Sequence, residues 1–390
     1  MHICLIGNGL TNLILAKILV KKKIKVDLFY RKNSIKKNST RTISISKDNV
    51  NFLEKYFQNI KKIGWPVNSI KIYNESDDVE KILEFNNQKS VKFYVFKNDQ
   101  LFRYLSANIF KEKDIKKKKN NFNYNLLNKS QGKKYNLIIN SEKNNYIEKK
   151  YFYNKIEKNY NNKAYTSIIS HKKINNNTAR QIFTKFGPIA YLPISLTRTS
   201  VVFSSSEKYK FLSNKSLKNY LKNYNQNYQK VVFGKIESFE LSFLLQRKYV
   251  FNNILSFGDN LHKIHPLAGQ GFNMNLRNIK NLTELINEKV ELGLEVDKSV
   301  INIFEKKNKH LNILFASGID FIYEFFKYDN NLKNNFPPFI AFPILLKEFR
   351  FLISLLTPKV ELPFSIIETL RSTLRFPFSI SQSDTSIYSS

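Results

Sequence analysis

Between residues 258 and 275 the chain reads GDNLHKIHPLAGQGFNMN. Gly258 and Asp259 follow a short apolar run, residues 254–257. That places a carboxylate just past a strand, where it can accept hydrogen bonds from ligand hydroxyls. Pro266 fixes the backbone of the following loop and removes a donor. Gly269 and Gly271 let the main chain approach a ligand without interference from a Cβ. A helix is expected to start near Phe272, because Met274, Ile279, Leu282 and Leu285 recur at helical spacing. Its unpaired first amides and positive dipole end face whatever lies over the glycines. Such a place suits an anion or an electron-rich carbonyl edge. A single GxG would read as packing in a βα turn. The gathering of Gly, Asp, two His, Pro, Gln and Asn in one short segment points instead to a ligand.

Other elements must position this segment. Residues 2–6 form a buried-strand pattern, followed by Gly7-Asn8-Gly9, an apolar helix over 13–20 and a second strand over 24–30. This is a βαβ unit with glycines where a dinucleotide-binding loop belongs. Gly7 allows the turn, and Gly9 allows approach to a pyrophosphate held by the helix N-terminus. Two positions depart from the pattern. The third glycine is Asn12, which predicts looser helix–strand packing. The acid that usually ends the second strand is Tyr30, with Asp27 three residues earlier on the other face.

The chain has 390 residues, enough for two cores, and 42% hydrophobic content marks it as folded. Lys and Arg number 64 against 31 acids, a net charge of +33. Such a charge suits nucleic acid or an anionic membrane surface. The lysines are scattered, however, and no nucleic-acid motif accompanies them. The excess reads as the drift of an AT-biased genome. Cys4 is the only cysteine, so no internal disulfide forms. His262 and His265 lack a third ligand nearby, so no metal is expected. Met1 leads straight into a strand, which predicts no leader and a cytoplasmic location. No apolar stretch reaches the length of a membrane span.

The 258–275 segment resembles the GD-x-x-H-x-x-HP-x-x-GQG-x-N signature of the flavoprotein aromatic hydroxylases like p-hydroxybenzoate hydroxylase, and within them the ubiquinone-biosynthesis group. The segment GPIAYLPIS, residues 187–195, is also similar to that group, as are RTISIS from Arg41, NDQLFRYL with Arg103, and FASGIDFIYEFF. The resemblance runs through residues 1–330. It implies an α/β fold: a Rossmann-like FAD-binding domain with an inserted antiparallel β-sheet substrate domain and a helical C-terminal region. The FAD domain would comprise residues 1–69, 98–160 and 252–330, and the substrate domain 70–97 and 161–251. Residues 331–378 would be helical, either a cap or an amphipathic membrane-docking patch, and 379–390 a disordered tail.

By that resemblance FAD is the cofactor, held by Gly7, Gly9, Arg41, Arg103, Gly258, Asp259, Gly269, Gln270, Gly271, Phe272 and Asn273. Asp259 would take the ribityl chain, and the 269–273 backbone the pyrimidine edge. His265 and Pro266 would position groups at the flavin face, while His262 bonds locally within the loop. Reduced flavin and O2 would give a C4a-hydroperoxide that hydroxylates a polyprenylated phenol. Peripheral contact with the inner membrane and with other ubiquinone-pathway proteins would follow. NADPH or another donor would supply electrons, since the family's Asp-Gly motif reads Ser141-Glu142 here. Two other readings stand beside this one: a non-catalytic scaffold relative, suggested by residues 12, 30, 141 and 142, and a hydroxylase of a soluble aromatic.

Finer expectations concern local structure. Gly64-Trp65-Pro66 reads as a turn, residues 70–73 and 91–96 as strands of the second sheet, and Lys116–Lys119 as a solvated loop tip. His171 reads as an exposed strand residue, and residues 300–326 as several helices.

Overall fold

The computed structural model describes residues 1–30, 39–75, 79–86, 90–119, 135–206, 213–225, 227–265 and 269–329. Pro266 and the regions assigned above to 331–378 and 379–390 lie outside them. In chain order the elements are β1 (His2–Ile6), α1 (Leu10–Lys21), β2 (Lys25–Tyr30), β3 (Thr42–Ser46), α2 (Lys47–Glu54), β4 (Gly64–Val67), β5 (Ser69–Glu75), β6 (Val79–Asn86), β7 (Phe93–Lys97), α3 (Asn98–Phe110), β8 (Ile115–Lys119), β9 (Leu137–Asn140) and α4 (Tyr146–Tyr151). There follow β10 (Lys155–Ser170), β11 (Thr178–Thr184), β12 (Gly187–Ser195), β13 (Arg198–Ser206), α5 (Asn214–Asn223), β14 (Val232–Phe233), β15 (Glu237–Gln246), β16 (Val250–Phe251), β17 (Ile254–Ser256), β18 (His262–Lys263), α6 (Gln270–Glu291) and α7 (Lys298–Asp329).

The first sheet has the order β16-β17-β9-β1-β2-β8, parallel except for the β16–β17 pair. Its central strand is covered on both faces, so Ile3, Cys4, Leu5 and Ile6 are all buried and the usual alternation is lost. Helices α1, α3 and α6 pack on one face around Leu13, Ile14, Leu105 and Ile279. Ile147 and Phe152 cover the other. All three glycine-rich or polar turns of interest leave this sheet at the carboxyl ends of β1, β9 and β17. That is where ligands bind in open α/β sheets.

The second sheet runs β18-β15-β10-β13-β12-β11-β5-β6. It is antiparallel except that β5 and β11 pair in parallel, with Ser69 opposite Thr178, so the sheet is mixed where an antiparallel one was expected. One face packs Tyr191 and Phe203 against Leu217 of α5. Another cluster joins Tyr160, Phe243 and Leu245 of this sheet to Met274 of α6 and Ala316, Ile319 and Tyr323 of α7.

Several local expectations are corrected. Residues 64–67 are not a turn but strand β4, paired with β7 in a separate sheet ordered β3-β7-β4. Pro66 is tolerated because β4 is an edge. β7, expected in the large sheet, instead pairs with β3 and β4 in this small one. Lys116–Lys119 is not a loop tip but part of β8, the outer strand of the parallel sheet. Lysines on an outer strand discourage pairing with other chains. His171 is buried, not exposed: its Nε2 lies 3.0 Å from Thr199 Oγ1, and its ring packs on Tyr228. Residues 298–329 are one continuous helix rather than several. Among the described residues no helix is long and apolar enough to cross a membrane.

Candidate functional site

The β1–α1 turn supplies the first wall. Gly7 has φ +100, and a Cβ there would stand 3.2 Å from the Glu142 amide nitrogen. Only glycine fits such a backbone against so close a neighbour. Gly9 caps α1 without a side-chain cap, and nothing lies within 4 Å of where its Cβ would be. A helix N-terminus over open space is ready to bind an anion. The turn is pinned from three sides. Gly7 N donates to Phe29 O at 2.9 Å, Ser141 N donates to Ile6 O at 3.0 Å, and Asn12 Nδ2 donates to Ile6 O (3.0 Å) and Gly7 O (2.8 Å). The looser packing expected from Asn12 is therefore not found: its amide is buried and binds the turn.

The second wall is the exit from β17. Gly258 has φ +67 and sits against α1, its Cβ position 3.3 Å from Thr11 Oγ1. Asp259 follows in a single turn of 3-10 helix, residues 258–260. Its side chain is 66% exposed, accepts from Asn275 Nδ2 at 2.8 Å, and has Lys143 Nζ 3.8 Å away. Most of its acceptor capacity is open to a ligand.

The third wall is the start of α6. The helix begins at Gln270, two residues before Phe272, with Gly269 as a left-handed N-cap at φ +66. A Cβ on Gly269 would stand 3.0 Å from Ser44 Cβ on β3. Among the described residues no side chain caps this helix, so its first amides remain for another partner. Gln270 and Gly271 are half-buried, and Phe272 packs partly on the first core. The Asn273 side chain is used internally: it accepts from Ser46 N (3.0 Å) and Asn49 Nδ2 (2.9 Å), and donates to Ser44 O (2.9 Å) and Gly269 O (3.2 Å). It fastens β3 and α2 to the α6 N-terminus, leaving only its backbone for a ligand.

The remaining predicted residues are placed as follows. Arg41 is exposed just before β3, its guanidinium 4.0 Å from the Phe239 ring centroid. Arg103 Nη2 donates to Asp99 Oδ2 at 2.9 Å, an i,i+4 pair on α3 with the arginine 57% exposed. His262 does not bond within its own loop. It is on β18, fully buried, and its Nε2 is 3.2 Å from Asn278 Nδ2 on α6. Burial lowers its pKa to about 4, so it is neutral. His265 is 1% exposed, stacked on Tyr323 at 4.0 Å and met edge-on by Tyr160 at 5.6 Å. Among the described residues neither ring nitrogen has a partner, and burial lowers its pKa to about 3. It cannot act as a base near neutrality; it can only orient or fill.

Sequence reading missed the groups around these residues. Tyr160 donates to Asp320 at 2.6 Å, and Lys158 reaches Glu324 at 2.8 Å, which ties α7 to the large sheet beside His265. Lys263 Nζ donates to Ser242 Oγ at 2.7 Å, and burial pushes its pKa down. Nothing in the spacing of these residues announces contacts between positions more than a hundred apart, as in the Tyr160–Asp320 pair. Asp27 is also withdrawn from any ligand. It is buried, receives Lys118 Nζ at 2.7 Å and Tyr135 OH at 2.6 Å, and has His2 Nε2 at 2.9 Å.

No family model matches the sequence. The chain is 32% identical over 90 residues to the mitochondrial ubiquinone biosynthesis monooxygenase COQ6 of Dictyostelium discoideum, covering 22% of this chain and 18% of that protein. It is 28% identical over 164 residues to the 3-demethoxyubiquinol 3-hydroxylase of Escherichia coli, 40% of each. To the ubiquinone hydroxylase UbiL of Rhodospirillum rubrum it is 24% identical over 177 residues, 44% of this chain and 41% of that one. The matched stretches thus span less than half the length of these relatives. Among solved structures, Pseudomonas aeruginosa PqsL in complex with 2-aminobenzoylacetate superposes with a TM-score of 0.67 at 12% identity, over 85% of this chain and 98% of that one. The p-nitrophenol 4-monooxygenase PnpA of Pseudomonas putida gives 0.65 at 10% identity, over 90% and 97%. At these identities the likeness shows the fold: a Rossmann-like α/β unit joined to a large β-sheet.

Proposed function

We propose that this chain is an FAD-dependent monooxygenase that hydroxylates the ring of a polyprenylated phenol in ubiquinone biosynthesis. The observation that carries the reading is the meeting of Gly9, Asp259 and the uncapped start of α6 at the carboxyl edge of one parallel sheet. The open space over Gly9 and the exposed Asp259 carboxylate fit an extended dinucleotide cofactor. The similarity to the three ubiquinone-pathway proteins supports the choice of substrate class.

In this reading the Gly7–Gly9 turn and the α1 N-terminus hold the pyrophosphate, and Asp259 accepts from the ribityl hydroxyls. The Gly269–Asn273 backbone donates to the pyrimidine edge, where the α6 dipole stabilises negative charge. Arg41 reaches the cofactor from just before β3, and Arg103 from α3. When bound, FAD supplies the activation of O2 that no side chain here can. The protein's part is to orient the ring, exclude water and hold charge. His265, neutral and buried, sets the shape of the flavin face. The large sheet would carry the phenol, and a peripheral membrane contact would deliver it.

The test is the visible spectrum of the purified protein, with the released flavin identified after denaturation. Near one FAD per chain, followed by hydroxylation of a polyprenyl phenol, is the expected result. A colourless protein that takes up no added FAD overturns the reading in favour of a scaffold. Full activity on a water-soluble phenol without binding to liposomes overturns the lipid substrate.

A further inference from the structure

We propose that Asn12 is a positioning residue for the cofactor pyrophosphate, and that restoring the consensus glycine at this position weakens FAD binding. The inference deepens the flavoprotein reading and rests on it.

In the dinucleotide pattern the third glycine is there because helix and strand pass close together. Here that place holds a side chain with no solvent exposure. Both hydrogens of its amide are used, one on Ile6 O and one on Gly7 O. These two carbonyls belong to the last strand residue and the first loop residue. A trans peptide sets its N–H opposite its C=O. Holding the Gly7 carbonyl on Asn12 therefore turns the Gly7–Asn8 N–H to the opposite side of the loop. The amide fixes peptide orientations that a glycine would leave to the backbone alone, and glycine is the residue with most freedom to lose.

A second observation argues that packing is not the reason for this residue. Among the described residues Asn12 Oδ1 is buried and has no partner. A buried acceptor left unpaired lowers stability. An asparagine kept only to fill the crossing would be an unfavourable filler. Its value lies in what the amide nitrogen does to the turn beneath the open space over Gly9.

The experiment titrates full-length apoprotein with FAD and with riboflavin, following flavin fluorescence, for wild type, Asn12→Gly and Asn12→Asp. Riboflavin carries no phosphate, so it reports the isoalloxazine and ribityl end alone. Asn12→Gly is expected to weaken FAD about tenfold, equivalent to about 1.4 kcal/mol, with riboflavin changed less than twofold. Asn12→Asp keeps the shape but cannot donate to either carbonyl, and is expected to lose at least as much. FAD binding by Asn12→Gly as tight as wild type overturns the proposal. Equal weakening of both flavins also overturns it, because that marks a general structural role. A wild type that binds neither flavin overturns the flavoprotein reading itself, and this proposal with it.

Discussion

Two aspartates belong to the parallel sheet or its exits and are used in opposite ways. Asp27, inside β2, is 1% exposed and surrounded by His2, Lys118 and Tyr135. Asp259, just past β17, is 66% exposed and meets one asparagine and a distant lysine. The first carboxylate is consumed by the protein's own donors, the second is left for a ligand. Two ends of one candidate site follow the same division. At the α6 end the chain keeps glycines, open amides and a free acid. At the β2 end the acid is missing from position 30, and a buried asparagine has replaced the third glycine. An acidic residue on the expected strand is therefore not evidence of a ligand contact until its donors have been counted.

Substitutions can break this contrast, and the largest effect belongs to Asp27. Asp27→Ala leaves a lysine and a tyrosine without their shared acceptor, and should destabilise the protein by about 3 kcal/mol, read as a lower urea midpoint. Its acid limb follows from the same contacts. Burial opposes ionisation, but hydrogen bonds from Lys118, Tyr135 and His2 outweigh it and hold the carboxyl at about 2 against its usual 3.8. A folded pKa below the unfolded one means that this stability is complete above the unfolded value. It is lost as pH falls from there through about 2. Linkage puts its size at about 2 kcal/mol. Asp27→Asn should flatten that limb of a stability-versus-pH curve; an unchanged limb would show that the network is not charged.

Asp259→Ala should do the reverse. FAD retention is expected to fall about tenfold or more, a loss of one charge-assisted bond or so, while the apoprotein melts within a degree or two of wild type. Full flavin content in this variant removes Asp259 from the site. A smaller effect is expected at His265, whose two ring nitrogens are buried without partners among the described residues. His265→Phe should leave stability unchanged or raise it by about 1 kcal/mol, measured by thermal melting, while turnover of the phenol falls. Smallest of all is Arg103→Ala. An exposed i,i+4 pair contributes about 0.3–0.5 kcal/mol, so stability should barely move. FAD titration decides whether Arg103 belongs with Asp259 or with the surface: no change in affinity places it on the surface.

The glycines were readable because left-handed backbone and close approach leave few alternatives. Gly7, Gly258 and Gly269 all adopt positive φ. The βαβ unit was readable because β1 and α1 are apolar enough to be buried almost throughout. What was not readable depends on which residues meet across the fold. Pro66 looks like a turn former until its strand is known to be an edge. Lys116 to Lys119 look like a solvated loop until Val26 is found opposite Ile115. His171 looks exposed until Thr199 and Tyr228 close over it. Asn12 looks like a defect until the two carbonyls beneath it are seen.

Helix α7 carries a consequence for how the molecule comes apart. Phe304, near its start, is embedded in the core of the parallel sheet, and Ala316, Ile319 and Tyr323, more than three turns further on, are embedded in the core of the large sheet. A single rigid rod thus has one end in each core. Melting either sheet strips half of the rod's buried surface and makes the other half harder to keep. Heat should take both sheets apart in one calorimetric peak, and the amides of α7 should exchange with deuterium no faster than those of β1.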